Sequence, residues 1–207
     1  MCVLANSRPA LQILALATAA LALPCAAAGC TSATANIPSD SPGLDLRAPI
    51  AASSADAPSL FAEHWTWTDE GGQPVTFARW RGRPLVVTAM FTQCKATCPR
   101  TLAKLRRVYD DFQRAGRDAQ FVVVTLDPAN DTPPALTKFK ADAGLPASWH
   151  FLSGDLNQTR DLRELLGIHV VNDGPHLLHD GRIVIFDDEG RPARALEGYG
   201  LDHEVKL

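Results

Sequence analysis

The stretch PLVVTAMFTQCKATCP, residues 84–99, decides the fold because it joins an apolar run to two cysteines. The first half, Pro84–Phe91, is rich in β-branched and aliphatic residues and is typical of a buried strand. A helix beginning near Pro99 is predicted by apolar residues that recur at helical spacing: Leu102, Leu105, Val108, Tyr109 and Phe112. The sequence therefore predicts that Cys94 and Cys98 lie in a strand-to-helix turn.

The spacing of the two cysteines favours chemistry that they perform together. If the helix begins early enough to include both, positions i and i+4 place the two sulfurs on one helix face. The backbone N–H groups and the dipole of a helix N-terminus also stabilise a thiolate. Adjacent thiols of this kind suit either a reversible disulfide or a soft metal ion. A structural disulfide is disfavoured, since the bridge would close too short a loop to stabilise the fold.

Composition excludes some classes of function. The chain has 207 residues, a net charge of −3 and a pI near 6.0. One domain with additional segments is expected at this length. The balanced charge and the dispersed Lys and Arg residues give no indication of nucleic-acid binding.

The N-terminal segment is typical of a secretory signal, which we assign to residues 1–29. Arg8 is the one charged residue before Asp40, and residues 13–28 are almost wholly apolar or small. Small residues directly before Cys30 resemble a bacterial lipobox, which implies lipidation of Cys30. Ordinary cleavage after Ala28 and an uncleaved membrane anchor are the alternatives. Each of these places the rest of the chain outside the cytoplasm, and lipidation places it on the periplasmic side of the inner membrane.

The remainder divides into a tether and a folded domain. Residues 30–57 are rich in Ser, Ala, Thr, Pro and Asp, a composition that predicts a flexible tether. Residues 58–207 show alternating strand and helix patterns that begin and end with a hairpin. This order predicts an α/β fold, a thioredoxin-like three-layer sandwich with an N-terminal hairpin. The cysteines are expected at the tip of the first central strand.

Four separated segments of this domain resemble the SCO/SenC family of thioredoxin-like copper chaperones. The stretch FTQCKATCP, residues 91–99, is similar to the Phe-Thr-x-Cys-x-x-x-Cys-Pro signature of the family. Residues 125–133 and 149–154 are similar to its Val-Asp-Pro-x-Arg-Asp-Thr-Pro and Trp-x-Phe-Leu-Thr-Gly segments. His179 precedes Gly190 by eleven residues, the interval at which the family histidine precedes its Asp-x-x-Gly hairpin.

The resemblance implies a function and a set of ligands. It implies that Cys94, Cys98 and His179 bind one copper ion, Cu(I) or Cu(II). It further implies delivery of copper to the binuclear copper site of cytochrome c oxidase, or reduction of the cysteines of that site. The expected partner is the copper-bearing oxidase subunit or another periplasmic copper protein, and a lipid anchor supplies the contact with the membrane. The resemblance favours a non-enzymatic metallochaperone over an enzyme and leaves a thiol–disulfide reductase activity open.

Alternatives remain open at the site. His176 is a rival third ligand if the register of its loop differs from the expected one. Asp127, at the end of a central strand, could orient the ligands or merely cap a turn. A second function, thiol–disulfide oxidoreductase, would use Cys94 and Cys98 without metal. The three-residue spacer between the cysteines and the non-proline residue Gly181 before the penultimate strand are unlike ordinary thioredoxin-like reductases.

Overall fold

The computed structural model describes residues 56–95, 97–173 and 176–196; for residues 172–173 and 176–178 it describes the backbone alone. Three α-helices and nine strands make up this part, with two short 3-10 helices at Leu60–Ala62 and Phe77–Trp80. The helices are α1 (Thr97–Arg114), α2 (Pro133–Asp142) and α3 (Leu156–Leu166). The strands are β1 (Trp67–Asp69), β2 (Pro74–Val75), β3 (Leu85–Met90), β4 (Gln120–Thr125), β5 (Trp149–Ser153), β6 (Val170–Asp173), β7 (His176–His179), β8 (Ile183–Phe186) and β9 (Pro192–Leu196).

Seven strands form the central sheet in the order β2-β1-β5-β4-β3-β8-β9. β3, β4 and β5 run parallel, and β8 joins β3 in the antiparallel direction. Strands β3 and β8 are buried along their whole length, which explains their nearly continuous apolar sequences. The carboxyl ends of β3, β4 and β5 meet at one edge of the sheet, and the first cysteine follows β3 at this edge.

Helices cover the sheet on both faces. Successive residues of a strand point to opposite faces, so Val86 packs on one side and Val87 on the other. The Val86 side is covered by α1 and α2, and the Val87 side by α3 together with the N-terminal 3-10 segments. This arrangement confirms the predicted α/β three-layer sandwich.

The N-terminal hairpin is also present. β1 pairs with β2 along one edge and with β5 along the other, where Thr68 lies opposite Ser153. The hairpin thereby extends the central sheet. The sequence indicated strands over Trp65–Thr68 and Val75–Phe77, whereas the chain turns into a 3-10 helix at Phe77. Phe77 and Trp80 point inward from this helix and contribute two large rings to the core.

A third hairpin lies between the N-terminal and C-terminal hairpins that the sequence predicts. For residues 168–179 the sequence pattern predicts a loop with a turn at residues 173–175. In the structure β6 and β7 form a separate antiparallel sheet in which Val170 pairs with His179. Gly174 and Pro175 are turn-forming residues between two apolar pairs, Val170-Val171 and Leu177-Leu178, and this pattern is itself a hairpin signal. The hairpin places His179 at the end of a strand.

Some sequence predictions lie outside the described residues. The signal at 1–29, the lipidation of Cys30 and nearly all of the tether at 30–57 belong to this group. Among the helices that the structure describes, none combines the length and the apolar character needed to cross a membrane.

The N-terminal part of the domain is fixed against the β8–β9 turn. The Leu60 N–H donates to the Gly190 carbonyl at 2.7 Å, and the Ser59 hydroxyl donates to the Glu189 carbonyl at 2.5 Å. The Phe61 ring lies directly over Gly190, where a Cβ atom would come within 2.7 Å of the ring. Gly190 also has a φ of +77°, so both its backbone conformation and its neighbour require glycine.

We predict that Gly190→Ala destabilises the domain more than Gly72→Ala. Both glycines have similar positive φ angles, 77° and 79°, and each alanine should cost about 1–2 kcal/mol of strain. Gly72 has open space around it, whereas an alanine at 190 overlaps Phe61 and should cost about 1–3 kcal/mol more. Urea unfolding of the two variants measures the difference. Equal losses would show that Phe61 does not pack on this turn.

Candidate metal centre

The two cysteines lie on either side of the start of α1. The helix begins at Thr97, slightly before Pro99, so Cys98 belongs to its first turn and Cys94 to the preceding loop. The Cys98 N–H donates to the Cys94 sulfur at 3.4 Å. Because N–H groups at a helix start have no partner within the helix, this contact supplies one and favours negative charge on Cys94.

The two sulfurs differ in their surroundings. Both residues are in the thiol form, but Cys94 is half-buried and Cys98 is 1% exposed. A hydrogen bond with Cys94 and burial raise the pKa of the Cys98 thiol far above its usual range. The charges of Cys94 and Asp131 act in the same direction. Of the pair, Cys94 is therefore the sulfur that solvent and partners can reach.

His179 reaches this turn from far along the chain. It ends β7, is 1% exposed, and its Nε2 lies 3.3 Å from the Cys98 sulfur. Its other ring nitrogen, Nδ1, lies 2.8 Å from the Asp180 carbonyl oxygen. That oxygen can only accept, so we assign the ring proton to Nδ1, which leaves the Nε2 lone pair facing the sulfur. The Phe91 ring packs edge-on against the imidazole with 5.7 Å between centroids.

Close approach of the backbone brings the imidazole to the cysteines. The segment after His179 passes directly over the first turns of α1, and a Cβ atom on Gly181 would overlap the Thr101 hydroxyl. The Thr88 hydroxyl of β3 donates to the Arg182 carbonyl at 2.7 Å and so fixes the same segment to the central strand. Glycine at 181 is therefore needed for the contact between His179 and Cys98.

The result is one compact set of possible metal ligands. The ligand atoms of Cys94, Cys98 and His179 all lie within 4.8 Å of one another. In the part of the chain that the structure describes, no other group of His, Cys, Asp and Glu side chains meets this criterion. Two thiolates with one imidazole form a soft donor set of the kind that binds Cu(I) or Zn²⁺.

The other residues that the sequence singled out lie elsewhere. His176 begins β7 and pairs with Asp173, at the end of the hairpin away from His179; its side chain is outside the described part. Cys30 is likewise outside it. His169 was expected to be an ordinary surface or hydrogen-bonded residue, and its Nδ1 lies 2.8 Å from an Asp180 carboxylate oxygen. Asp180 thus contacts both His169 and His179.

Fold and site together define a thioredoxin-like protein with a Cys–Cys–His centre at the end of its central strand. A profile of the SCO1/SenC family matches residues 53–205. The chain therefore belongs to the SCO1/SenC family.

Individual relatives agree with this membership. A putative copper-binding protein from Stutzerimonas stutzeri is 29% identical over 128 residues, 59% of this chain and 62% of the relative. The SCO1 protein homolog of Bacillus subtilis (strain 168) is 28% identical over 93 residues, 44% of this chain and 48% of the relative. The matches thus span less than two thirds of these relatives. The crystal structure of Arabidopsis thaliana ScoI with copper bound has the same fold, with a TM-score of 0.59 at 18% identity, covering 67% of this chain and 89% of that one.

We predict that an alkylating reagent distinguishes the two thiols. Cys94 is half-buried and accepts a helix N–H, whereas Cys98 is enclosed, so iodoacetamide should modify Cys94 at least about tenfold faster. Peptide mass spectrometry of the reduced protein, sampled over time, measures both rates. In guanidinium the rates should become similar, and faster labelling of Cys98 in the folded state would contradict this description of the site.

Proposed function

We propose that this protein binds one copper ion through Cys94, Cys98 and His179. The observation that carries the proposal is the convergence of these three ligand atoms within 4.8 Å, at a site with one half-exposed sulfur. Thiolate ligands select Cu(I), and the added imidazole makes the same site acceptable to Cu(II). One curated relative is named as copper-binding, and three structural relatives were solved with copper bound, which supports copper over zinc.

The copper is cargo rather than a resident cofactor in this proposal. Delivery requires that an incoming ligand reach the ion, and the half-buried Cys94 provides the accessible side. Cys98 and His179 are enclosed and would hold the ion until exchange begins. The recipient that family membership favours is the binuclear copper site of cytochrome c oxidase. Transfer from the loaded protein to a soluble copper domain of that oxidase, followed by its visible spectrum, tests this step.

We also propose an extracytoplasmic location with a lipid on Cys30. Support comes from the apolar segment before it and the small residues directly preceding the cysteine. The intact protein, expressed in a Gram-negative bacterium, should incorporate labelled palmitate and fractionate with the inner membrane. Cys30→Ser should lose the label, and incorporation that persists in this variant would exclude lipidation at Cys30.

One observation favours a second function, thiol–disulfide oxidoreductase. The Cys94 sulfur accepts the Cys98 N–H and is accessible, as an attacking thiolate must be. The Cys94 thiolate would attack a substrate disulfide, forming a mixed disulfide and releasing one substrate thiolate, which takes the proton of Cys98. The Cys98 sulfur would then attack Cys94 and displace the second substrate thiolate, which takes up a proton from water. The substrate gains two electrons and becomes a dithiol, while Cys94 and Cys98 form a disulfide. This reaction gives no role to His179 as a ligand, so the histidine distinguishes the two functions.

We predict that copper binding depends on His179 and not on His176. Reduced protein, titrated anaerobically with Cu(I) against a chromophoric chelator, should bind one equivalent. His179→Ala should weaken binding by at least about tenfold, because disturbing even the groups around a metal ligand costs this much. His176→Ala is the matched control, because His176 is a histidine of the same strand, and this variant should bind copper as the wild type does. If the two variants exchange behaviour, His176 is the third ligand; if both bind as the wild type does, the redox function is favoured.

A further inference from the structure

Asp131 is a buried carboxylate that neither proposed function uses. It is 1% exposed and lies in the loop between β4 and α2. The sequence suggests two roles for a different aspartate of this loop, Asp127, which could orient the ligands or cap a turn. The Asp127 carboxylate remains within its own loop, where it accepts a hydrogen bond from the Asn130 amide at 2.8 Å. Asp131 reaches across to the neighbouring loop.

Both oxygens of Asp131 accept hydrogen bonds from threonines. The Thr92 N–H donates to Oδ2 at 3.0 Å, and the Thr92 hydroxyl donates to Oδ1 at 2.5 Å. The Thr125 hydroxyl, at the end of β4, donates to Oδ2 at 2.5 Å. The Asp131 N–H in turn donates to the Asp127 carbonyl at 2.9 Å, which fixes the backbone that carries the carboxylate. A single side chain therefore links the end of β4 to the loop that follows β3.

The surroundings make this link strong. Asp131 and Thr92 line one small gap in the packing with the apolar side chains of Met90, Leu136 and Phe139. A buried carboxylate is costly unless hydrogen bonds satisfy it, and bonds to an ionised acceptor are stronger in apolar surroundings. Because the carboxylate cannot leave its donors without this cost, it holds Thr92 in place.

Thr92 is two residues before Cys94, in the loop that sets where the first sulfur lies. Other hydrogen bonds of this loop are local: the Cys94 N–H donates to the Phe91 carbonyl at 3.2 Å, and the Cys98 N–H donates to the Cys94 sulfur at 3.4 Å. Asp131 ties the loop to a different strand. We propose that Asp131 is a positioning residue of the metal centre, which holds Thr92 and thereby places Cys94 against Cys98 and His179. The inference rests on the proposed copper site.

The test compares Asp131→Asn with Asp127→Asn, which removes the neighbouring carboxylate of the same loop. An asparagine at 131 has no charge and a single acceptor oxygen, so it loses the charge-assisted hydrogen bonds from Thr92 and Thr125 and should hold the loop less firmly. In the Cu(I) competition assay, Asp131→Asn should bind copper roughly 10–100-fold more weakly, the usual cost of removing a group that orients ligands. The Cu(II) form should show a changed visible and EPR spectrum. Asp127→Asn should match the wild type in both measurements.

A second pair of variants separates positioning from general stability. Thr92→Val removes a donor in the cysteine loop, and Thr125→Val removes a donor at the end of β4. If Asp131 positions Cys94, Thr92→Val alters the spectrum and the affinity for copper, while Thr125→Val mainly lowers the melting temperature. If Asp131 only stabilises the fold, the two variants lose stability alike and both keep the wild-type spectrum, which would overturn the proposal. If Asp131→Asn does not fold, Thr92→Val still tests the proposal, because it removes the Thr92–Asp131 side-chain hydrogen bond from the other partner.

A metal-free readout keeps this test distinct from that of the proposed function. Loosening the loop should expose Cys98, so iodoacetamide should label Cys98 faster in Asp131→Asn and in Thr92→Val than in the wild type. Wild-type protein that binds no copper would refute the proposed function, and labelling would still decide whether Asp131 holds the cysteine loop. Unchanged labelling and unchanged copper affinity in folded Asp131→Asn would refute the positioning role.

Discussion

The contact between the Cys98 sulfur and the His179 imidazole, 3.3 Å across and 81 residues apart in sequence, is the constraint on which the proposed site depends. Two features of the fold produce it. β8 pairs with β3, so the chain leading into β8 returns to the strand that ends at the cysteines. Gly181 then allows that chain to pass over the start of α1 without a side chain between them. A thioredoxin-like sheet thus brings an imidazole to a pair of sulfurs that local sequence had already placed.

The two sulfurs differ in exposure, so a partner can approach the site through Cys94 and not through Cys98. An enclosed sulfur and an enclosed imidazole face a half-exposed sulfur, so exchange with a partner can begin from one side only. The same asymmetry would serve a redox cycle, in which an accessible thiolate attacks first and an enclosed thiol resolves the mixed disulfide. The proposed copper binding and the alternative thiol chemistry would therefore use the same two cysteines, and the position of His179 is the observation that favours copper.

Sequence reasoning succeeded where the signal was local. β3 was found because a strand buried on both faces has a continuous apolar sequence, and α1 because its apolar residues recur at helical spacing. The cysteine turn followed from the same local pattern. His179 was singled out through family resemblance, since its approach to Cys98 depends on long-range strand pairing that no periodicity encodes. Asp131 was missed for a similar reason, because the fold brings its partners Thr92 and Thr125 to it from two neighbouring strands. Asp127 was considered instead, since it directly follows the end of a predicted strand.

X-ray absorption at the copper edge of the loaded, reduced protein tests the central claim most directly, because it identifies the atoms bound to the ion. The account predicts two sulfur neighbours and one imidazole nitrogen in the wild type, with the imidazole contribution lost in His179→Ala and the two sulfurs retained. A spectrum with sulfur ligands alone in the wild type, or an imidazole contribution that survives in His179→Ala, would contradict it.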